Sequence, residues 1–182
     1  MAIFRNRFAS IRDIVLVFAS CVVPVYSWSI LAFLEQMPGW LFYLNAWDVI
    51  GIFAYTQAFA LLESAMVLFA LVLLGAILPA RFLRDRFVAQ GSMLILLTSG
   101  WAIAAQYITI IPFTKYAPWH SKRFLLGAVL YLASIGVSYV LIRRYRRLEE
   151  SINSFIERLT VLLYVYVPIT FLSIITVILR NI

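Results

Sequence analysis

The stretch DVIGIFAYTQAFALLESAMVLFALVLLGAILPAR, residues 48–81, decides how this chain is read. Between Asp48 and Arg81 it holds one charged side chain, Glu63, in a run that is otherwise almost wholly apolar. About 20 apolar residues suffice for a helix to cross a hydrocarbon core ~30 Å thick. As one helix, Val49 to Pro79 would be about 46 Å long at 1.5 Å per residue. Tilting that length into ~30 Å needs a larger angle than helices commonly show. Its first turns are therefore expected to project beyond the core or to pack on the aromatic segment before them. Counted back from Arg81 as the inner edge, Glu63 lies about 27 Å away, which predicts a position towards the outer leaflet.

The composition extends this reading to the whole chain. Of 182 residues, 64% are hydrophobic and 13% charged, where a soluble domain carries about 25% charged residues. One polytopic transmembrane domain over residues 1–182 is expected. The net charge of +7 has its source at the ends of the apolar segments, where cations set orientation and meet anionic headgroups. No basic tail long enough to grip nucleic acid is present. One cysteine, Cys21, and one histidine, His120, exclude an internal disulfide, multi-cysteine metal or cluster motifs and bis-histidine ligation within this chain. No cofactor is implied.

Further spans follow in order. Ile14–Leu34 is too long for a signal-peptide core and lacks a clean cleavage site, so an uncleaved first span is expected. Pro24 should kink it by freeing the Ser20 carbonyl, with the Ser20 and Ser27 hydroxyls at hand to compensate. Glu35 to Asp48 has no Lys or Arg but carries Trp40, Phe42, Tyr43 and Trp47, and reads as an interfacial aromatic segment opened by a Pro38-Gly39 turn. Residues 49–79, 87–111, 124–142 and 159–179 supply four more spans. Ser154-Phe-Ile-Glu157 has the capping-box pattern for the start of the last one. The predicted fold is thus an all-α polytopic membrane bundle of five transmembrane helices with an interfacial aromatic segment after the first.

With the N-terminus inside, eleven basic residues fall on the inner side: Arg5, Arg7, Arg12, Arg81, Arg84, Arg86, Arg143, Arg144, Arg146, Arg147 and Arg158. Four fall outside, Lys115, Lys122, Arg123 and Arg180. That asymmetry predicts a multi-pass protein of the plasma (inner) membrane, N-terminus cytoplasmic and C-terminus outside.

Three groups of residues are candidates for function. Glu63 is the sharpest, because an acidic side chain inside a span costs a few kcal/mol on insertion scales and normally faces protein or water. It is read as an ion or partner contact, with Thr56 on its face and Gln57 nearby but offset around the helix. The plainer alternative is a neutral or hydrogen-bonded carboxyl gluing two helices. Lys115, His120, Lys122 and Arg123 form an outer loop suited to an anionic lipid or phosphate, or simply to interfacial anchoring. Gly100 and Ala104 on the third span, and Gly127, Ser134 and Ser138 on the fourth, make small-residue helix-packing faces.

No nucleophile elbow, phosphate-binding loop, dinucleotide fingerprint, zinc motif or intramembrane acidic pair occurs. The leading expectation is a non-enzymatic integral subunit or accessory protein of a larger membrane complex, its partners being membrane lipids and other membrane subunits or copies of itself. A small homo-oligomeric channel or transporter built on Glu63 is the alternative. A protein binding or processing a lipid-linked phosphate through residues 115–123 is the third.

Overall fold

The computed structural model describes residues 10–77, 86–110 and 118–182, with side chains for all of these except 107–110 and 118–124. Within them the chain forms five helices: α1 Ile11–Trp40, α2 Ala46–Ile77, α3 Phe87–Ile110, α4 Pro118–Arg144 and α5 Arg146–Asn181. Each is long and apolar enough to cross a membrane, and no strand occurs among the described residues. The protein is a multi-pass all-α membrane bundle, as expected from the apolar runs. Helices are the natural solution there, because they satisfy their own backbone polar groups where no water is available.

The boundaries differ from the expected ones in instructive ways. α1 does not stop near Leu34 but continues through Pro38 and Gly39 to Trp40. Hence most of the expected aromatic segment is helix, and only a tight turn over residues 41–45 separates α1 from α2. Pro38 removes one backbone donor and so frees the Leu34 carbonyl, a small loss in the last turn of a helix, where carbonyls go unpaired in any case. The turn still presents Leu41, Phe42 and Tyr43 outward. Asn45 starts α2 by accepting from the Asp48 amide at 2.9 Å. Similarly, Ser10 caps α1 by accepting from the Asp13 amide at 3.2 Å.

Ser154 caps nothing, because it lies inside α5. That helix begins at Arg146, after a single extended residue, Tyr145 (φ −116°, ψ 101°), which makes the corner with α4. An Arg146–Glu150 pair one turn apart supports the early start. At 36 residues α5 is about 54 Å long, so its first turns lie beyond a ~30 Å core. The serine compensation expected at Pro24 is also absent. Ser20 returns its hydroxyl to Val17 O at 2.6 Å, while Ser27 pairs with the Tyr166 hydroxyl at 3.2 Å.

α1, α2 and α5 pack mutually, α3 lies chiefly against α1, and α4 touches α3 and α5 at the periphery. Lipid removes the hydrophobic drive between helices, so close packing and interhelical hydrogen bonds hold such a bundle. At the centre, Tyr26 and Thr170 share a hydrogen bond of 2.5 Å, and the Tyr26 and Tyr166 rings lie 5.0 Å apart. Val22, Tyr26 and Ala60 are buried there. A second cluster, Val17, Cys21, Leu71, Phe87 and Ile95, joins α1, α2 and α3 nearer the Arg12 end. α4 is fastened by Thr98–Tyr131 at 2.8 Å, an edge-on Trp101–Tyr131 ring contact, and Arg86 donating to Ile142 O.

Both ends of the bundle are tied by ion pairs. At one end Arg12 meets Glu157 at 3.3 Å and Arg86 meets Glu149 at 3.2 Å. At the other, Arg180 meets Asp48 at 3.0 Å, donates to Trp47 O and lies 5.8 Å from the Trp47 ring centre. Asn181 beside it donates to the Tyr55 hydroxyl at 2.6 Å. Gly51 makes this clamp possible, since a Cβ there would overlap the Arg180 guanidinium. Gly51→Ala should therefore expel Arg180 and lower stability by about 1 kcal/mol, the size of a partly exposed ion pair. Arg180→Ala should cost the same, and the double variant no more than either single one. Reversible unfolding in mixed micelles checks this; additive losses would contradict it.

Candidate functional site

α2 presents two different faces. Positions Val49, Gly51, Ala54, Gln57, Ala60, Ser64 and Leu71 are buried, and from Gly51 to Ser64 they recur at the three- and four-residue steps of one helical stripe. Glu63 falls about 100° from that stripe and is exposed. The structure therefore separates the residues grouped around Glu63 by sequence. Gln57 points into the bundle and is fully buried. Thr56 shares the Glu63 side, but it is about 10 Å further along the axis and gives its hydroxyl to Ile52 O at 2.8 Å.

Other helices supply the surroundings of Glu63. α2 and α3 meet where Leu71 approaches Gly91; a Cβ on Gly91 would stand 3.0 Å from a Leu71 methyl. From that contact towards the Arg180 end, a groove of about 140 Å³ lies between α2 and α3 on the flank of α1. Pro24, Val25, Trp28 and Ser29 of α1, Glu63 of α2, and Ser99, Ala102, Ile103 and Gln106 of α3 line it. It combines a carboxyl group, two serine hydroxyls, an amide and an indole with apolar walls. Part of this set is legible in retrospect: Ser92, Ser99 and Gln106 recur every seven residues, a polar stripe down α3.

Depth decides the electrostatics. Glu63 stands 17 residues from Ala46 and 14 from Ile77, or about 25 Å and 21 Å along the axis. It is thus near the middle of α2, and the far edge is marked by the Asp48–Arg180 pair. α2 starts three residues before the expected Val49, at Ala46, and the polar edge at that end is Asp48. Ion pairs among the described residues are Arg12–Glu157, Arg86–Glu149, Arg146–Glu150 and Arg180–Asp48. None of them involves Glu63.

The remaining candidates are placed less richly. Lys115 lies outside the described residues, and His120, Lys122 and Arg123 fall in the first turns of α4, where side chains are not described. Gly100 and Gly127 have open space above them, with no atom within 4 Å of an added Cβ. Among the described residues no helix is seated on either. Ser134 and Ser138 return their hydroxyls to Tyr131 O and Ile135 O, and Ala104 is half-buried. A second groove of about 200 Å³, among α1, α2 and α5, has almost wholly apolar walls, including Phe18, Leu61 and Leu163. No charged group lines it.

No protein family, curated protein or solved structure matches the chain.

Gln57 has neither its amide oxygen nor its nitrogen paired, although both are buried. An unpaired buried polar group costs about 1–3 kcal/mol. Gln57→Leu should accordingly leave stability unchanged or raise it by about 1 kcal/mol. A loss of that size in the same unfolding assay would show instead that the amide is engaged.

Proposed function

We propose that this protein is a non-enzymatic integral subunit or accessory protein of a larger membrane assembly, and that the Glu63 groove is one of its contacts. One observation carries the reading: a carboxyl group halfway along a membrane-length helix faces outward, with no cation beside it among the described residues. A charge at that depth is costly. A chain that keeps one on its outer surface has a use for it, and a neighbouring transmembrane segment is the available cover. Lipid headgroups sit about 15 Å from the midplane of a ~30 Å core and do not reach it. The apolar flanks of α4, with Leu125, Leu126 and Leu132 mostly exposed, offer further area to lipids or neighbouring subunits.

Native mass spectrometry of the protein taken from its own membrane in mild detergent tests this. The expected result is a defined hetero-complex that Glu63→Ala weakens at least tenfold. A lone monomer with no retained protein would contradict the reading. The outward carboxyl also suits a homo-oligomeric pore, which predicts a single-species oligomer and ion flux abolished by Glu63→Ala. The lipid-phosphate reading rests on the sequence of residues 115–123 alone.

The basic asymmetry supports placing the Arg12 end in the cytoplasm and the Arg180 end outside, in a plasma membrane. In a Cys21→Ala background, Ile182→Cys should react with an impermeant maleimide added outside intact cells, and Ser10→Cys should not. Labelling of both from one side would overturn a five-span topology.

A further inference from the structure

We infer that the Glu63 groove receives the ammonium group of a mid-span lysine carried by a transmembrane helix of a different protein. This builds on the subunit reading above and adds the chemistry of the contact and the identity class of the partner.

The partner's charge follows from complementarity. The groove is lined by Glu63 together with Ser29 and Ser99, a carboxylate and two hydroxyls. An ammonium has three N–H donors and no acceptor, which this set of oxygens can satisfy at once. A guanidinium brings five donors in a rigid planar fork, which needs its acceptors in one fixed arrangement, whereas the ammonium is compact and its donors rotate about a flexible stem. Apolar lining suits the lysine stem as well, since Val25, Ala102 and Ile103 belong to the same groove.

Depth and shape point to a helix as the carrier. Glu63 is near the middle of α2, more than 20 Å by the helix rise from either end, which favours a helix-borne amine over an amine-bearing lipid headgroup. On the Glu63 face of α2, Phe59, Glu63, Met66 and Ala70 are all exposed. They follow one another at steps of four, three and four residues, the spacing of a seam on which a second helix packs. Phe59 and Met66 are 59% and 63% exposed, leaving large apolar side chains on both sides of the carboxyl for that helix to cover. Met adapts readily to a partner's contour.

A second copy of this chain cannot supply the cation. Its lysines are Lys115 and Lys122 alone, and every arginine lies at or near the end of an apolar run. No basic residue occurs at the depth of Glu63 in any helix, so self-association would set carboxyl against hydrocarbon or against carboxyl. The partner is therefore a distinct chain.

The test uses the full-length protein in lipid bicelles and synthetic leucine–alanine transmembrane peptides as probes. One carries a single central lysine, one a central arginine, one leucine at that position, and one a lysine moved two turns towards an end. Energy transfer between labelled peptide and protein reports association. The central-lysine peptide is expected to bind at least tenfold more tightly than the other three, and Glu63→Gln should abolish the difference while leaving thermal stability unchanged. Equal binding of the lysine and leucine peptides would overturn the inference, as would a preference for arginine or for the displaced lysine. A hetero-complex found by native mass spectrometry alongside no lysine preference would leave the subunit reading standing and remove this one. A lysine preference that persists in Glu63→Gln would place the contact elsewhere and equally sink it.

Discussion

Moving a charge from water into hydrocarbon costs several kcal/mol even with relaxation of the surrounding lipid, and that cost orders the whole molecule. Seven of the eight acidic residues of the sequence lie at or near the ends of apolar runs. Where the structure describes their pairs, they meet cations at the two rims: Glu157 and Glu149 at one, Asp48 at the other. Glu63 breaks the pattern, standing mid-helix on an outward face. The packing of α1, α2 and α3 leaves that group at the edge of a groove.

The bundle is held by polar contacts that lie inside the protein. Tyr26–Thr170 and Ser27–Tyr166 join α1 to α5 at mid-depth, each bond worth about 0.6–2 kcal/mol in a membrane bundle. The Arg180 clamp ties α5 to α2 at one rim, while Arg86 ties α3 to α4 and α5 at the other. With α1 packed against α2, α3 and α5, it serves as the common floor on which α2 and α3 stand. The groove is the space left between those two helices above the Leu71–Gly91 contact. Gln57, buried and unpaired on the opposite side of α2, belongs to the bundle interior and not to the groove.

The number and type of the helices were legible because twenty-odd apolar residues in a row have few alternatives. Helix ends were less so. Pro38-Gly39 has the look of a turn, yet backbone with no competing partner in or near lipid stays helical through it. Ser154 has the pattern of a cap, but Glu149 and Glu150 pair with arginines and let α5 begin earlier. Glu63 stood out in sequence by being acidic in a span, and its separation from Gln57 follows from the 100° helical step. The groove itself was not legible: Ser29, Ser99 and Gln106 reach it from helices whose packing no local pattern encodes. The same holds for Arg180 and Asp48, 132 residues apart. The glycine faces at Gly100 and Gly127 show the converse, a pattern of close packing with no helix upon it among the described residues.

The account turns on where the Glu63 side of α2 lies in the bilayer. Nitroxide labels placed singly at residues 59, 63 and 66 in liposomes, read by power saturation with oxygen and with a water-soluble nickel complex, measure this directly. High oxygen and very low nickel accessibility at all three, with the depth maximum at or beside residue 63, is the result expected. Nickel accessibility at residue 63 comparable to that of a label at residue 43 would place the carboxyl in water and contradict the account.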